Sequence, residues 1–332
     1  MLQNKKYTYF FSFFILSFHL LAQEVSVIQS SNIKGDSSYY DIYQFNDNEF
    51  WIGGEYGILK CLDKSGKLTD IKFPNKGAHI LEIAQFGPDR VIILADKGIL
   101  YFYDVSLDSW EVKVFPKYKN KALYNICVIN DKTAYICGGH SRIAKGKRTL
   151  PRGFILKTEN GGATWKKCYN NPFKMVWDIN YEDNRLYAIT YSPFGSKILT
   201  SINEGKSWKR HSFFSKILIH DMEKIKSFYL VGGIRKGKSA GTIGILNTDS
   251  LAKLEETSIF WDVSASNLYT LASGSNGIIA YKFNGNVKWV EFKTPIPKNL
   301  YAVKFINSNS AYVVGREKTI LRVEWKDLTV ID

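Results

Sequence analysis

Cysteine is scarce in this chain. Cys61, Cys127, Cys137 and Cys168 are unevenly spaced among 332 residues and form no CxxC pair, which excludes a zinc ribbon and a dense disulfide scaffold. Cys127 and Cys137 fall on neighbouring expected strands but out of register, so no disulfide is expected and each reads as a small hydrophobe. Histidine is nearly as rare: His19, His79, His140, His211 and His220 lack metal-ligand spacing, and neither a metal nor a cofactor is expected. No nucleophile elbow and no phosphate loop is expected. Helical periodicity is almost absent. A Pro- or Ser-rich linker is missing too, so the two domains that length alone would allow give way to one.

Acidic residues are outnumbered: 31 Asp and Glu face 45 Lys and Arg, for a formal net charge of +14. Such an excess favours anionic partners. Long apolar runs are confined to the N-terminus, where Lys5 and Lys6 precede YTYFFSFFILSFHLLA (7–22) and the chain turns polar at Gln23. This is the layout of a secretory signal peptide over residues 1–22. The alternative is a membrane anchor, but the run falls short of the ~20 apolar residues of a span and His19 interrupts it. The expected mature chain, residues 23–332, loses Lys5 and Lys6 and so carries +12. It is expected to be secreted, periplasmic or held in the cell envelope, to be a monomer, and to have no transmembrane segment after cleavage. A protein or an anionic polysaccharide is the expected partner; nucleic acid would suit the charge but not the export.

What the chain does have is repetition. Strands ending in small residues recur as FWIGG (50–54), VIILA (91–95), AYICGG (134–139), LYAIT (186–190), FYLVGG (228–233), LYTLAS (268–273) and AYVVG (311–315). Their anchors, Gly53, Ala95, Gly138, Thr190, Gly232, Ser273 and Gly315, are 42, 43, 52, 42, 41 and 42 residues apart, and the long interval holds an insertion at 141–151. A first strand precedes each anchor, as in Tyr40-Asp41-Ile42 or Trp177-Asp178-Ile179. A third strand often follows a glycine, and a fourth usually carries an aromatic such as Trp110, Trp165, Trp208 or Trp289. This pattern predicts an all-β, seven-bladed β-propeller of four-stranded antiparallel blades. One blade cannot bury both faces, whereas a ring of blades does. Residues 24–31 (EVSVIQSS) are expected to close the ring beside 319–325, replacing or extending the outer strand there, unless 328–331 supply that strand.

Two repeats carry a sharper pattern: Thr158-Glu159-Asn160-Gly161-Gly162-Ala163-Thr164-Trp165 and Ser201-Ile202-Asn203-Glu204-Gly205-Lys206-Ser207-Trp208. Both resemble the Asp-box, or BNR, repeat, with Asn160 and Asn203 where Asp is usual. Asn holds the same tight turn, Gly162 and Gly205 permit positive φ, and Trp165 and Trp208 pack beneath it. Weaker echoes occur at 103–110 and 284–289. At the level of the repeat the resemblance spans nearly the whole mature chain. It implies that these residues are hairpin staples, not catalysts. It points to three groups: the photosystem II assembly-factor-like BNR propellers, which are scaffolds; the sialidases and other propeller glycosidases; and the sortilin-type propellers, which bind peptides.

A sialidase needs an arginine in its first blade, and the first arginine here, Arg90, lies in the second repeat. Asp41, Asp178, Asp221 and Asp262 recur at one position of the first strands. They read as repeat identity, each acid bonding a neighbouring backbone. The competing reading is a glycoside hydrolase or lyase at the central cleft, which needs two carboxylates ~5–10 Å apart. No catalytic residue is assigned.

Strand order puts the inter-blade and second-to-third loops on one face. The longest second-to-third loops carry Arg142, Lys145, Lys147, Arg148 and Arg152 in repeat three, Tyr191 and Phe194 in repeat four, and Arg235, Lys236 and Lys238 in repeat five. The inter-blade loop entering repeat three adds Lys117, Lys119 and Lys121. One charge sign on long adjacent loops predicts a basic, aromatic-interleaved face. The expected function is an exported, non-enzymatic scaffold holding a protein or anionic glycan there.

Overall fold

The second strand of each repeat is an unbroken apolar run because both its faces are covered. In Arg90–Ala95 every residue after the first is buried, and in Ser310–Gly315 every residue is. The fourth strand stands at the other extreme: Ser109–Val114 has no buried residue. Burial thus falls from the middle of each sheet to its outer edge, as radial packing requires. The small anchors follow from the same packing, since a Cβ on Gly53 would run into Ile80 of the next sheet.

The computed structural model describes residues 6–9, 21–140, 143–144, 147–148, 152–192, 194–215, 217–225, 228–235, 240–245, 251–253, 259–284 and 289–327. Blades 1 to 6 begin with the strands Tyr39–Gln44, Ile80–Gln85, Ala122–Val128, Met175–Glu182, Ile217–Ile225 and Phe260–Ala265. Each is a four-stranded antiparallel sheet with its strands in chain order. The first strands pack side by side around an axis, and Leu300–Asn307 meets Tyr39–Gln44 to complete the circle. In the insertion, Ile143–Ala144 pairs with Lys147–Arg148 as a small hairpin. All four cysteines are free. Among the described residues no helix is long and apolar enough to cross a membrane.

The expectation of seven four-stranded blades needs correction: six blades have that form. The last anchor, Gly315, belongs to a five-stranded sheet built from both ends of the chain. Its order is Lys6–Tyr9, Leu21–Gln29, Thr319–Asp327, Ser310–Gly315, Leu300–Asn307. The physical cause is that the last repeat supplies three described strands of its own, and the open edge that remains recruits backbone from the N-terminus. Val25 lies opposite Val323, with a bulge between Val27 and Gln29. Val25, Leu321, Val323 and Trp325 are buried in one cluster with residues of blade 6. On the other side Tyr312 meets Phe50 of blade 1 edge-on, ring centroids 5.0 Å apart. Residues 24–29 therefore extend the sheet as expected, while 328–331 lie outside the described residues.

Closure should dominate stability. Leu321→Ala, at a fully buried site of the closing sheet, is expected to cost about 2–5 kcal/mol in urea unfolding. Leu107→Ala, at a 73% exposed site, should stay within ~0.5 kcal/mol. Equal effects would contradict the packing described.

Candidate functional site

Strict alternation would send neighbouring residues of a strand to opposite faces. The first strands break that rule in the same place. The register slips between Tyr39 and Asp41, Ile80 and Glu82, Leu123 and Asn125, Val176 and Asp178, Ile219 and Asp221, Phe260 and Asp262, and Leu300 and Ala302. Each slip is a β-bulge, which bends the strand and re-aims a side chain. It lets two consecutive residues face the axis. Together they line a cavity of about 500 Å³.

The first residue of each pair builds a collar of rings. Tyr124 stacks on Trp177 at 4.6 Å, and Trp177 meets His220 edge-on at 5.5 Å. His220 lies 4.7 Å from Trp261, Trp261 5.8 Å from Tyr301, and Tyr301 5.8 Å from Tyr40. Leu81 fills the place of blade 2 in this cavity wall. The second residue of each pair builds a belt of acids, Asp41, Glu82, Asp178, Asp221 and Asp262, with Asn125 and Ala302 in the remaining places.

The belt ties blade to blade. Asp41 Oδ2 accepts the Ile83 N–H at 2.7 Å, Asp221 Oδ2 the Val263 N–H at 2.9 Å, and Asp262 Oδ2 the Val303 N–H at 2.7 Å. Asn125 Oδ1 receives the Ile179 N–H at 3.3 Å. The recurring acids thus do bond neighbouring backbone, as repeat identity requires. Asp178 departs from the pattern: it is 2% exposed and its Oδ1 has no hydrogen-bond partner.

Burial keeps the carboxyls of Asp41, Glu82, Asp178 and Asp262 protonated to unusually high pH. Asp41 is pushed up to about 6 by desolvation, against the pull of the Ile83 and Ile42 N–H groups and of Lys304. Desolvation first, and like charge second, hold Glu82, Asp178 and Asp262 well above the ordinary range. Asp262 also shares a hydrogen bond with Asp221. Burial pushes His220 the other way, down to about 4. Among the described residues no group of His, Cys, Asp and Glu is arranged to hold a metal ion.

The Asn-containing turns sit at the far ends of the blades. Asn160 Oδ1 accepts the Thr164 N–H at 2.9 Å, and Trp165 Nε1 donates to the Gly162 carbonyl at 3.0 Å. Asn203 and Trp208 repeat this with Ser207 and Gly205 at 2.9 and 3.1 Å. Gly162 and Gly205 take φ of +83° and +82°. Blade 2 grips the first turn, Lys113 Nζ donating to the Gly162 carbonyl at 2.6 Å and Arg90 to that of Gly161 at 3.0 Å. These side chains staple hairpins and neighbouring blades.

Of the basic loops, Lys117 and Lys119 are exposed, as is Arg152 at the start of its strand. Lys121 lies over the rings of Tyr118 and Phe154 at 4.9 and 5.3 Å. Desolvation, then the like charges of Arg152, Lys117 and Lys167, lower its pKa. Tyr191 packs edge-on against Trp177 at 6.1 Å, joining this face to the collar. Phe194 is 77% exposed at a hairpin tip. Lys147 and Arg148 form one arm of the small hairpin, and Arg235 pairs with Ile217. Arg142, Lys145, Lys236 and Lys238 lie outside the described residues.

Gly232 to Ser239 (GGIRKGKS) has the literal spacing of a phosphate loop, and Gly237 to Gly241 (GKSAG) that of a nucleophile elbow, neither anticipated above. Both motifs act at a strand-to-helix turn. Here the described elements on either side are the strands Phe228–Arg235 and Ala240–Ile245, so among the described residues no helix follows either motif to receive a phosphate; residues 236–239 lie outside the described residues. The collar and two belt members, Glu82 and Asn125, were also missed; their only signal was an aromatic directly before each recurring acid.

Fold and cavity together define an all-β propeller with a ring-and-carboxyl pocket on its axis. No family model and no curated protein matches the chain. Solved structures do match. YCF48 bound to a D1 peptide aligns with TM-score 0.66 and 14% identity over 90% of this chain and 94% of that one. YCF48 from Cyanidioschyzon merolae aligns with TM-score 0.65 and 17% identity over 89% and 98%. The WD40 domain of Neurospora crassa Pan2 gives 0.60 and 10% over 89% and 91%. The chain is therefore a β-propeller similar in fold to the YCF48 structures.

The carboxyl belt gives stability a pH signature. With raised folded-state values, the native protein holds more protons than the unfolded chain, so their contribution is greatest below the ordinary carboxylate range. It is lost as pH rises through about 6 for Asp41, and Glu223, outside the belt but pushed up to about 7 by burial and then by Asp221, adds a loss of the same sign. His220 acts oppositely between about 4 and its ordinary 6.5. Above pH 6.5 the carboxyls prevail. The melting temperature is expected to fall from pH 6.5 to 8, and Asp262→Asn to flatten that slope; a rise over this window would contradict the assignment.

Proposed function

We propose that this chain is a non-enzymatic docking platform that holds an acidic segment of a partner protein across the face where the inter-blade and second-to-third loops meet. One observation carries the reading: crowded positive charge and exposed aromatic rings coincide there and on the adjoining flank of blades 3 and 4. Lys117, Lys121 and Arg152 repel one another at one end, and Lys174, Lys197 and Arg210 at the other. Phe173, Phe194 and Phe213 stand 57%, 77% and 46% exposed between and beside them. Exposed aromatics with cations mark contact surfaces more than solvated ones. The YCF48 structure with a D1 peptide supports a protein partner, since a propeller of similar fold is bound to a peptide. An anionic glycan is the alternative occupant of the same charge. The Asn160 and Asn203 turns are read as members of the Asp-box family and given no part in binding.

We further propose that the protein is exported and that cleavage follows Ala22. Cleavage would remove Lys6–Tyr9 and leave residues 23–29 on the closing strand. Three of the central carboxyls, Asp41, Asp221 and Asp262, are bonded to neighbouring backbone, which favours a structural role over a glycosidase pair.

Triple charge reversal at Arg148, Arg152 and Arg235 is expected to weaken binding of acidic peptides at least tenfold and to flatten its salt dependence. Unchanged affinity and unchanged salt slope would overturn the docking face, and heparin binding without peptide binding would replace the protein partner with a glycan. N-terminal sequencing of the protein from its native host is expected to begin at Gln23.

A further inference from the structure

The axial cavity is a second candidate site, separate from the basic flank and opposite to it in charge. Its wall holds six carboxyl groups, the five of the belt and Asp96, and among the described residues that line it there is no Lys or Arg. Lys304 lowers Asp41 from further along the closing sheet's first strand but is not part of the cavity wall. A collar of aromatic rings surrounds the same space. Four polar atoms of wall residues are buried without hydrogen-bond partners: His79 Nδ1, Asp178 Oδ1, His220 Nε2 and Trp261 Nε1. Leaving a buried polar atom unsatisfied is costly, so a ligand that satisfied these would recover that cost on binding.

The chemistry they ask for is specific. Ring faces attract an organic cation. The free Asp178 oxygen is an acceptor, suited to an ammonium or guanidinium N–H. The Trp261 N–H is a donor and needs an acceptor, such as a carbonyl close to the cation. A cation would also relieve the mutual repulsion of the belt. We propose that the axial cavity binds an alkylammonium or alkylguanidinium group with a neighbouring amide carbonyl, the chemistry of a lysine or arginine residue, between the aromatic collar and Asp178. The group is either a free amino-acid derivative or a side chain presented by a peptide. The site does not depend on the proposed acidic partner, because the flank and the axis use different residues.

The test is calorimetric titration of the full chain with Nα-acetyl-arginine amide, its uncharged isostere Nα-acetyl-citrulline amide, and agmatine, which lacks the carbonyl. The arginine derivative is expected to bind at least tenfold more tightly than the citrulline one, with agmatine between them. A peptide carrying one central arginine, binding more tightly again, would assign the source to a protein; equal or weaker binding of the peptide would assign it to a free metabolite. Asp178→Asn, which keeps the shape, should remove most of the difference between arginine and citrulline. Should that variant not fold by circular dichroism, Trp261→Phe keeps the ring and should reduce the advantage of the arginine derivative over agmatine. Equal affinity for arginine and citrulline derivatives, no binding by either, or a preference untouched by these substitutions would overturn the proposal. None of these outcomes bears on charge reversal at Arg148, Arg152 and Arg235, so failure of one site is distinguishable from failure of the other.

Discussion

The antiparallel pairing of Leu21–Gln29 with Thr319–Asp327 is the constraint on which the rest of the molecule depends. It joins segments almost a whole chain apart. Closing so long a loop costs only slowly more entropy than closing a short one, and what it gains is the removal of an open sheet edge. Without it, blade 1 would lose Tyr312, Val314 and Ile320 from its core cluster. Blade 6 would lose Val25, Leu321 and Val323. The axial cavity exists because Leu300–Asn307 is brought against Tyr39–Gln44.

Given a closed ring, one local irregularity makes the site. A regular first strand would send either the ring or the acid towards the axis. The bulge sends both, and repetition multiplies one local defect into a collar and a belt. The belt then serves two ends at once. Its oxygens bond the backbone of the next blade, as Asp262 does to Val303, while its burial leaves carboxyls around a cavity whose described lining holds no Lys or Arg. Such high-stakes polar networks rigidify a fold when they are satisfied, and Asp178 Oδ1 shows where satisfaction is incomplete.

Much of this was legible in the sequence because it is periodic. The anchors at about forty-two residues locate the second strands to within a residue or two, since burial on both faces forces small and apolar residues there. Closure by 24–29 was legible for the same reason: a β-rich stretch lies ahead of the first repeat with no partner of its own. The make-up of the closing sheet was not, because strand number in a sheet assembled from both termini is decided by pairing in space. The recurrence of Asp41, Asp178, Asp221 and Asp262 was visible, but their place beside Tyr40, Trp177, His220 and Trp261 was hidden by the rule of alternation that bulges violate. Glu82 and Asn125 were hidden by chemistry: a longer acid and an amide occupy the same position as aspartate. The basic loops showed their composition, while the crowding of Lys121 by Arg152 and Lys117 required coordinates.

Native-state hydrogen exchange across the two termini examines closure most directly. If the ring is closed by this pairing, amides in 25–29 and 320–325 exchange only through the same global opening that governs the second strands of blades 1 and 6. Rapid exchange at those termini, with the blades still protected, would mean that the ring stands without its clasp and that the axial cavity owes its shape to something else.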